Sequence, residues 1–163
     1  MALLFSGSLL ADYHQVYLAD EVAGDTDPTA WTEEDVRTRL HVEPGMVILS
    51  TARNMEVPVE LHLHEAEPAL DPIAADHVAE AGLVTSGRVV VAGCTDYRPT
   101  AARIAVPAGT LRLRAEFTGL GTLSEDGLDG EDRYVVHLWP GEASGVVVRR
   151  QWEEPDAIPS GAG

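Results

Sequence analysis

Apolar and polar residues alternate with a two-residue period along much of this chain. The clearest case is Val57–His64, where Val57, Val59, Leu61 and Leu63 share one face and Pro58, Glu60, His62 and His64 the other. That period marks a strand with one face in a core. Thr110–Phe117 repeats it, setting Leu111, Leu113, Ala115 and Phe117 against Arg112, Arg114 and Glu116. Arg133–Trp139 follows, and the two segments with their glycine-rich, acidic connection read as a hairpin that organises the sheet. Met46–Thr51 is a continuous apolar run, consistent with a strand covered on both faces.

Tyr13–Ala19, Arg88–Gly93, Arg103–Val106 and Gly145–Trp152 read as further strands, and Leu3–Phe5 as an edge strand or arm. His77–Val84 fits helix or strand; the turn Thr85-Ser86-Gly87 after it favours strand. Thr32 followed by Glu33, Glu34 and Asp35 resembles a capping box, with acids where the helix dipole favours them. The expected helix is short, Glu33–Leu40, with Trp31 packed just before it. Turn signals recur about every 8–12 residues between these segments. The pattern predicts an all-β fold, an antiparallel β-sandwich of about eight strands with one short helix. The expected domain spans residues 1–152, and residues 153–163 form a flexible tail.

Charge changes this picture more than composition does. The formal net charge is −16, and every one of the 11 cations is Arg. Like charge argues against direct binding of nucleic acid phosphates or anionic membrane, and favours a basic protein partner or a cation. The acids sit in blocks. Eight precede Arg37 without a cation among them, seven lie between Arg53 and Arg88, and five (Glu125, Asp126, Asp129, Glu131 and Asp132) fill the hairpin loop. Cys94 is the one cysteine, which excludes an internal disulfide and a thiolate metal cage and permits a cytoplasmic location. The first residues lack a basic n-region, and no apolar run approaches a membrane span.

Three constellations bear on chemistry. Glu60, His62 and His64 stand at alternate positions of one strand, within reach of a common ion, and H-x-H with Glu65 or Glu67 resembles the cupin metal motif, without its glycine-rich surroundings. Against that, these histidines are opposite the apolar face, so they are expected at solvent. The loop Ser124–Asp132 offers carboxylates to calcium but lacks the EF-hand spacing. Cys94 with His77 or His14 forms no recognisable nucleophile–base arrangement, and a small packed hydrophobe is the expected role for it. No P-loop, dinucleotide fingerprint, G-x-S-x-G or H-E-x-x-H occurs, so no catalytic residue is assigned.

Tyr13-His14-Gln15, Trp31-Thr32 before an acidic helix start, Ala52-Arg53-Asn54 before an apolar strand, and Val106-Pro107-Ala108-Gly109-Thr110-Leu111 resemble, in that order, the competence protein J family of DNA-entry nuclease inhibitors. The resemblance runs from about Asp12 to Trp139, and the acidic loop Ser124–Asp132 departs from it. It implies a bacterial, non-enzymatic partner of a basic nuclease or toxin. The contact residues expected on that reading are Glu125, Asp126, Asp129, Glu131 and Asp132, which match the charge of phosphates, and Tyr13, Tyr17 and Tyr97 as anchors. Two other readings stay open. One is a cupin-like metal-dependent enzyme, or a metal or calcium sensor, centred on Glu60, His62 and His64. The other is a structural interaction subunit. No cofactor is expected beyond such a divalent metal.

Overall fold

The alternating segments lie in strands, and the strands pair into two sheets. The computed structural model describes residues 1–23, 31–71, 73, 75–142 and 144–153. Along them run β1 (Ala2–Leu10), β2 (Gln15–Asp20), α1 (Glu33–Thr38), β3 (Leu40–Glu43), β4 (Met46–Ser50), β5 (Glu56–Leu63) and β6 (His77–Thr85). Then follow β7 (Arg88–Gly93), β8 (Ala102–Ala105), β9 (Gly109–Thr118), β10 (Arg133–Pro140) and β11 (Val147–Arg150). One sheet has the order β1-β5-β10-β9-β6-β11, the other β3-β4-β2-β7-β8. The expected tail after Glu153 and most of the expected loop Asp20–Ala30 lie outside the described residues.

The alternation is obeyed where it was clearest. Val57, Val59 and Leu61 of β5 and Leu111, Leu113, Ala115 and Phe117 of β9 are buried between the sheets. They meet Val16 and Leu18 of β2 and Val89 and Val91 of β7 from the other sheet, in one continuous core. Met46 and Val47–Leu49 of β4 are buried on both faces, as the unbroken apolar run implies. The outer face of that sheet is closed by a smaller cluster in which Trp31 and Tyr17 pack on Ala19, Met46 and Ile48.

Three expectations need correction. The sandwich is mostly but not wholly antiparallel: β10 lies parallel to β5, with His137 opposite His62. β5 and β10 are far apart in sequence, so no short turn constrains their direction. The helix ends at Thr38, because Arg39 adopts φ +64° and turns the chain into β3. The capping box itself is present, with the Thr32 side chain accepting from the Asp35 N–H and the Asp35 carboxylate from the Thr32 N–H. Tyr13 and His14 are not in β2. They form a 3-10 turn over Asp12–His14 with φ +56° and +59°.

Strand register places several loops at one end of the sandwich. In the larger sheet Leu10 is opposite Glu56, Arg133 opposite Thr118, and Phe117 opposite His77. In the smaller sheet Gln15 is opposite Ser50, and Val16 opposite Gly93. The sheets touch there: a Cβ on Gly93 would sit 2.0 Å from the Leu10 carbonyl oxygen, so only glycine permits the approach. The Ala11 N–H donates to the Met55 carbonyl at 2.9 Å, continuing the β1–β5 pairing beyond Leu10 and Glu56. Among the described residues no helix is long and apolar enough to cross a membrane.

Candidate functional site

This junction end carries most of the residues expected to meet a partner. Tyr13 comes from the turn before β2, Tyr97 from the loop after β7, and the acids from the loop between β9 and β10. Tyr13 is 67% exposed and Tyr97 72%. Leu10, Met55 and Leu128 are exposed around them. The turn that presents Tyr13 holds two successive non-glycine residues at positive φ, an uncommon arrangement kept only where the surroundings enforce it. Here the His14 carbonyl accepts from the Thr51 N–H at 2.9 Å, and His14 Nδ1 lies 3.0 Å from the Thr51 carbonyl.

The acidic loop is built rather than loose. Gly119 has φ +73°, and a Cβ on it would meet the Glu131 carbonyl oxygen at 2.4 Å. Asp126 Oδ1 accepts from the Ser124 hydroxyl (2.6 Å) and the Leu128 N–H (3.0 Å), an Asx turn. The Ser124 hydroxyl in turn accepts from the Asp129 N–H, and the Thr122 hydroxyl from the Glu131 N–H. Those hydrogen bonds hold the Asp126 carboxyl below the usual range, the Ser124 contact foremost. Glu125, Asp126, Asp129 and Glu131 all reach solvent.

Asp132 does not belong with them. It is 0% exposed. Its Oδ1 accepts from Arg53 Nε at 2.5 Å and its Oδ2 from the Tyr134 hydroxyl at 2.6 Å. That hydroxyl accepts from the Ala52 N–H at 2.7 Å. Burial, reinforced by Asp132, pushes the Tyr134 phenol well above its ordinary value, so it acts as a fixed donor. Asp132 therefore anchors the loop to the core and is unavailable as a contact. Tyr17 is also set apart. It is half-buried on the outer face of the smaller sheet, and its hydroxyl donates to Gln15 Oε1 at 2.8 Å. Burial followed by the Cys94 thiol, 3.6 Å away, raises its pKa. Cys94 itself is only partly buried, not the enclosed hydrophobe expected of it.

A second polar region covers the outer face of the larger sheet. Glu60 and His62 of β5 and His64 just beyond it are aligned there, as the alternation predicts, but they are half-buried rather than open to solvent. The parallel pairing sets His137 of β10 beside them, with ring centroids 5.3 Å from His62 and 5.0 Å from His64. The His137 Nε2–H donates to Glu116 Oε1 of β9 at 2.5 Å, leaving Nδ1 to accept from the His64 Nε2–H at 2.8 Å. The hydrogen bond from His137 holds the Glu116 carboxyl below the usual range. Burial, then the neighbouring His137, lowers the His64 pKa. Glu60 accepts from Arg133 at 3.0 Å. Imidazole nitrogens thus face one another in a relay, and among the described residues no group of three or more His, Cys, Asp and Glu side chains is placed to hold a metal ion.

Further along this face, Glu80 of β6 is 1% exposed among arginines. Its Oε2 accepts from Arg114 Nε at 2.8 Å and its Oε1 from Arg149 Nη2 at 3.2 Å, with Arg112 Nε 3.7 Å away. Arg114 also lies 5.0 Å over the Trp139 ring and donates to the Pro68 carbonyl. Burial opposes ionisation of Glu80, yet the hydrogen bonds from Arg114 and Arg149 outweigh it and lower its pKa. Arg112, Arg114 and Arg149 thus share one sheet face around Glu80. Alternation on β6, β9 and β10 puts His137, Glu116 and Glu80 outward, but only the strand order brings them together.

No protein-family model and no curated protein matches the sequence. Two solved structures do match in three dimensions. The first is that of ComJ, inhibitor of the DNA degrading activity of NucA, from Bacillus subtilis. It superposes with a TM-score of 0.64 at 13% identity, over 86% of this chain and 98% of that one. This chain has the ComJ fold. The second is crocagin biosynthetic gene J, with a TM-score of 0.58 at 23% identity, over 87% of this chain and all of that one (100%).

Proposed function

We propose that this chain is an acidic, non-enzymatic cytoplasmic protein that inhibits a basic nuclease, or gives immunity to one. The observation that supports the reading is the ComJ fold extending over 86% of the chain, with a nuclease inhibitor as the neighbour. The contact surface is the junction end. Glu125, Asp126, Asp129 and Glu131 supply the field that a DNA-binding groove attracts, and Tyr13 and Tyr97 supply apolar area that desolvates on contact. Steering by loop acids gives fast, salt-sensitive association, while buried aromatics set the lifetime of the complex.

The test is a capture experiment with the intact chain on a column and extract of the source cell. A basic nuclease should be retained, released by rising salt, and silenced when the free chain is added back. Tyr13→Ala together with Tyr97→Ala should weaken that inhibition by about a thousandfold, since anchors of this kind are typically worth about 2 kcal/mol each. Recovery of a partner whose DNA cleavage the chain leaves untouched would sink the inhibitor reading.

A further inference from the structure

The four sheet edges are not alike. β3, β8 and β11 are four residues each, and each carries charge: Glu43, Arg103, and the pair Arg149 and Arg150. Short, charged edges resist pairing with another chain. β1 is nine residues long, Ala-Leu-Leu-Phe-Ser-Gly-Ser-Leu-Leu, with neither a charge nor a proline, in a chain of net charge −16. Its one strand neighbour among the described residues is β5. Alternate N–H and C=O groups along it point away from that neighbour.

We propose that β1 pairs antiparallel with β1 of a second copy of this chain, about a twofold axis at Gly7. The sequence around Gly7 is self-complementary. Ser6 mirrors Ser8, Phe5 mirrors Leu9, and Leu4 mirrors Leu10. A twofold contact demands that symmetry, because residue i of one copy meets residue j of the other and the reverse. The faces agree as well. Phe5, Gly7 and Leu9 are opposite Leu61, Val59 and Val57, on the core side of β5, while Ser6 and Ser8 are opposite Glu60 and Pro58 on the outer side. An axis through Gly7 perpendicular to the sheet sets Phe5 against Leu9 of the second copy and Ser6 against its Ser8, extending the apolar layer across both chains. The register irregularity between Leu3 and Phe5 bounds the paired segment at Leu4. The exposed Leu10 then gains cover.

This contact is independent of the nuclease reading and responds oppositely to salt. The two copies repel through their net charge, so screening strengthens the dimer. Sedimentation equilibrium of the full chain should give twice the 17.5 kDa chain mass at high micromolar concentration, more completely at high salt. Ser6→Lys with Ser8→Lys places like charges opposite each other and should leave a monomer; Ser6→Lys with Ser8→Glu places opposite charges together and should keep the dimer. In a Cys94→Ser background, a mixture of Ser6→Cys and Ser8→Cys chains should cross-link on oxidation, while neither alone does. A wild-type chain that stays monomeric throughout, or two charge variants that dimerise equally, overturns the proposal.

Discussion

Carboxylates in two regions of this molecule have opposite surroundings. On the outer face of the larger sheet, Glu80 is enclosed by Arg112, Arg114 and Arg149, and Glu116 by His137. At the junction end, Glu125, Asp129 and Glu131 face water. The residue types are the same; burial decides the role. An enclosed carboxylate must be matched or the fold suffers, whereas a solvated one contributes almost nothing to stability and is free to act at a distance. Asp132 crosses that line within a single loop. It is three residues from Asp129, yet it belongs with the enclosed group.

The largest effect should come from breaking the enclosed group. Arg114→Ala leaves Glu80 short of its main partner, and removal of one member of a buried pair costs about 3–5 kcal/mol. Urea unfolding should show that loss, and Glu80→Gln in the same chain should recover part of it. A change below about 1 kcal/mol would mean that water has replaced the guanidinium, and the contrast between the two regions would soften.

His77 ranks next. It is buried, its Nε2–H donates to the Thr38 carbonyl at 2.8 Å, and its Nδ1 accepts from the Trp152 N–H at 3.0 Å. Both nitrogens are engaged by the neutral ring, and protonation would set Nδ1–H against Trp152 N–H. Burial lowers its pKa from 6.5 to about 4. The unfolded chain then holds more protons between those values, so stability rises with pH from about 4 to 6.5 and is complete above that. The loss on acidification should approach on the order of 3 kcal/mol. Thermal unfolding of wild type and His77→Gln across that window checks it: the variant should be less stable at neutral pH and show a shallower dependence.

Asp132→Asn should follow, at about 1–3 kcal/mol, because it weakens the bonds to Arg53 and Tyr134 in a buried site. The smallest stability change belongs to the exposed acids. Neutralising Glu125, Asp129 and Glu131 together to Gln, Asn and Gln should shift unfolding by no more than about 0.5 kcal/mol, while reducing partner association and its dependence on salt. If instead that triple variant unfolds, the loop is structural throughout and the comparison fails.

Much of this was legible from residue order. Two-residue alternation in Val57–His64 and Thr110–Phe117 identified the core faces, and Thr32 to Asp35 identified the cap, because each depends on neighbours in the chain. Tyr13 carried the wrong local signal: it fits the period of β2 yet stands in a left-handed turn, held by Thr51 from another loop. Cys94 follows an apolar strand, but its exposure depends on where that strand ends at the junction.

By itself, then, the sequence determined the all-β class, the alternation that fills the core, the net negative charge and its concentration in loops. These are properties of short segments and of composition, and they survive any arrangement of the strands. Only the tertiary structure decided which charges are enclosed. Parallel pairing of β5 with β10 set His137 beside His62 and His64, and the order β9-β6-β11 closed the arginines around Glu80. Burial and hydrogen bonding between strands far apart in sequence have no local code, because they depend on which strands lie side by side.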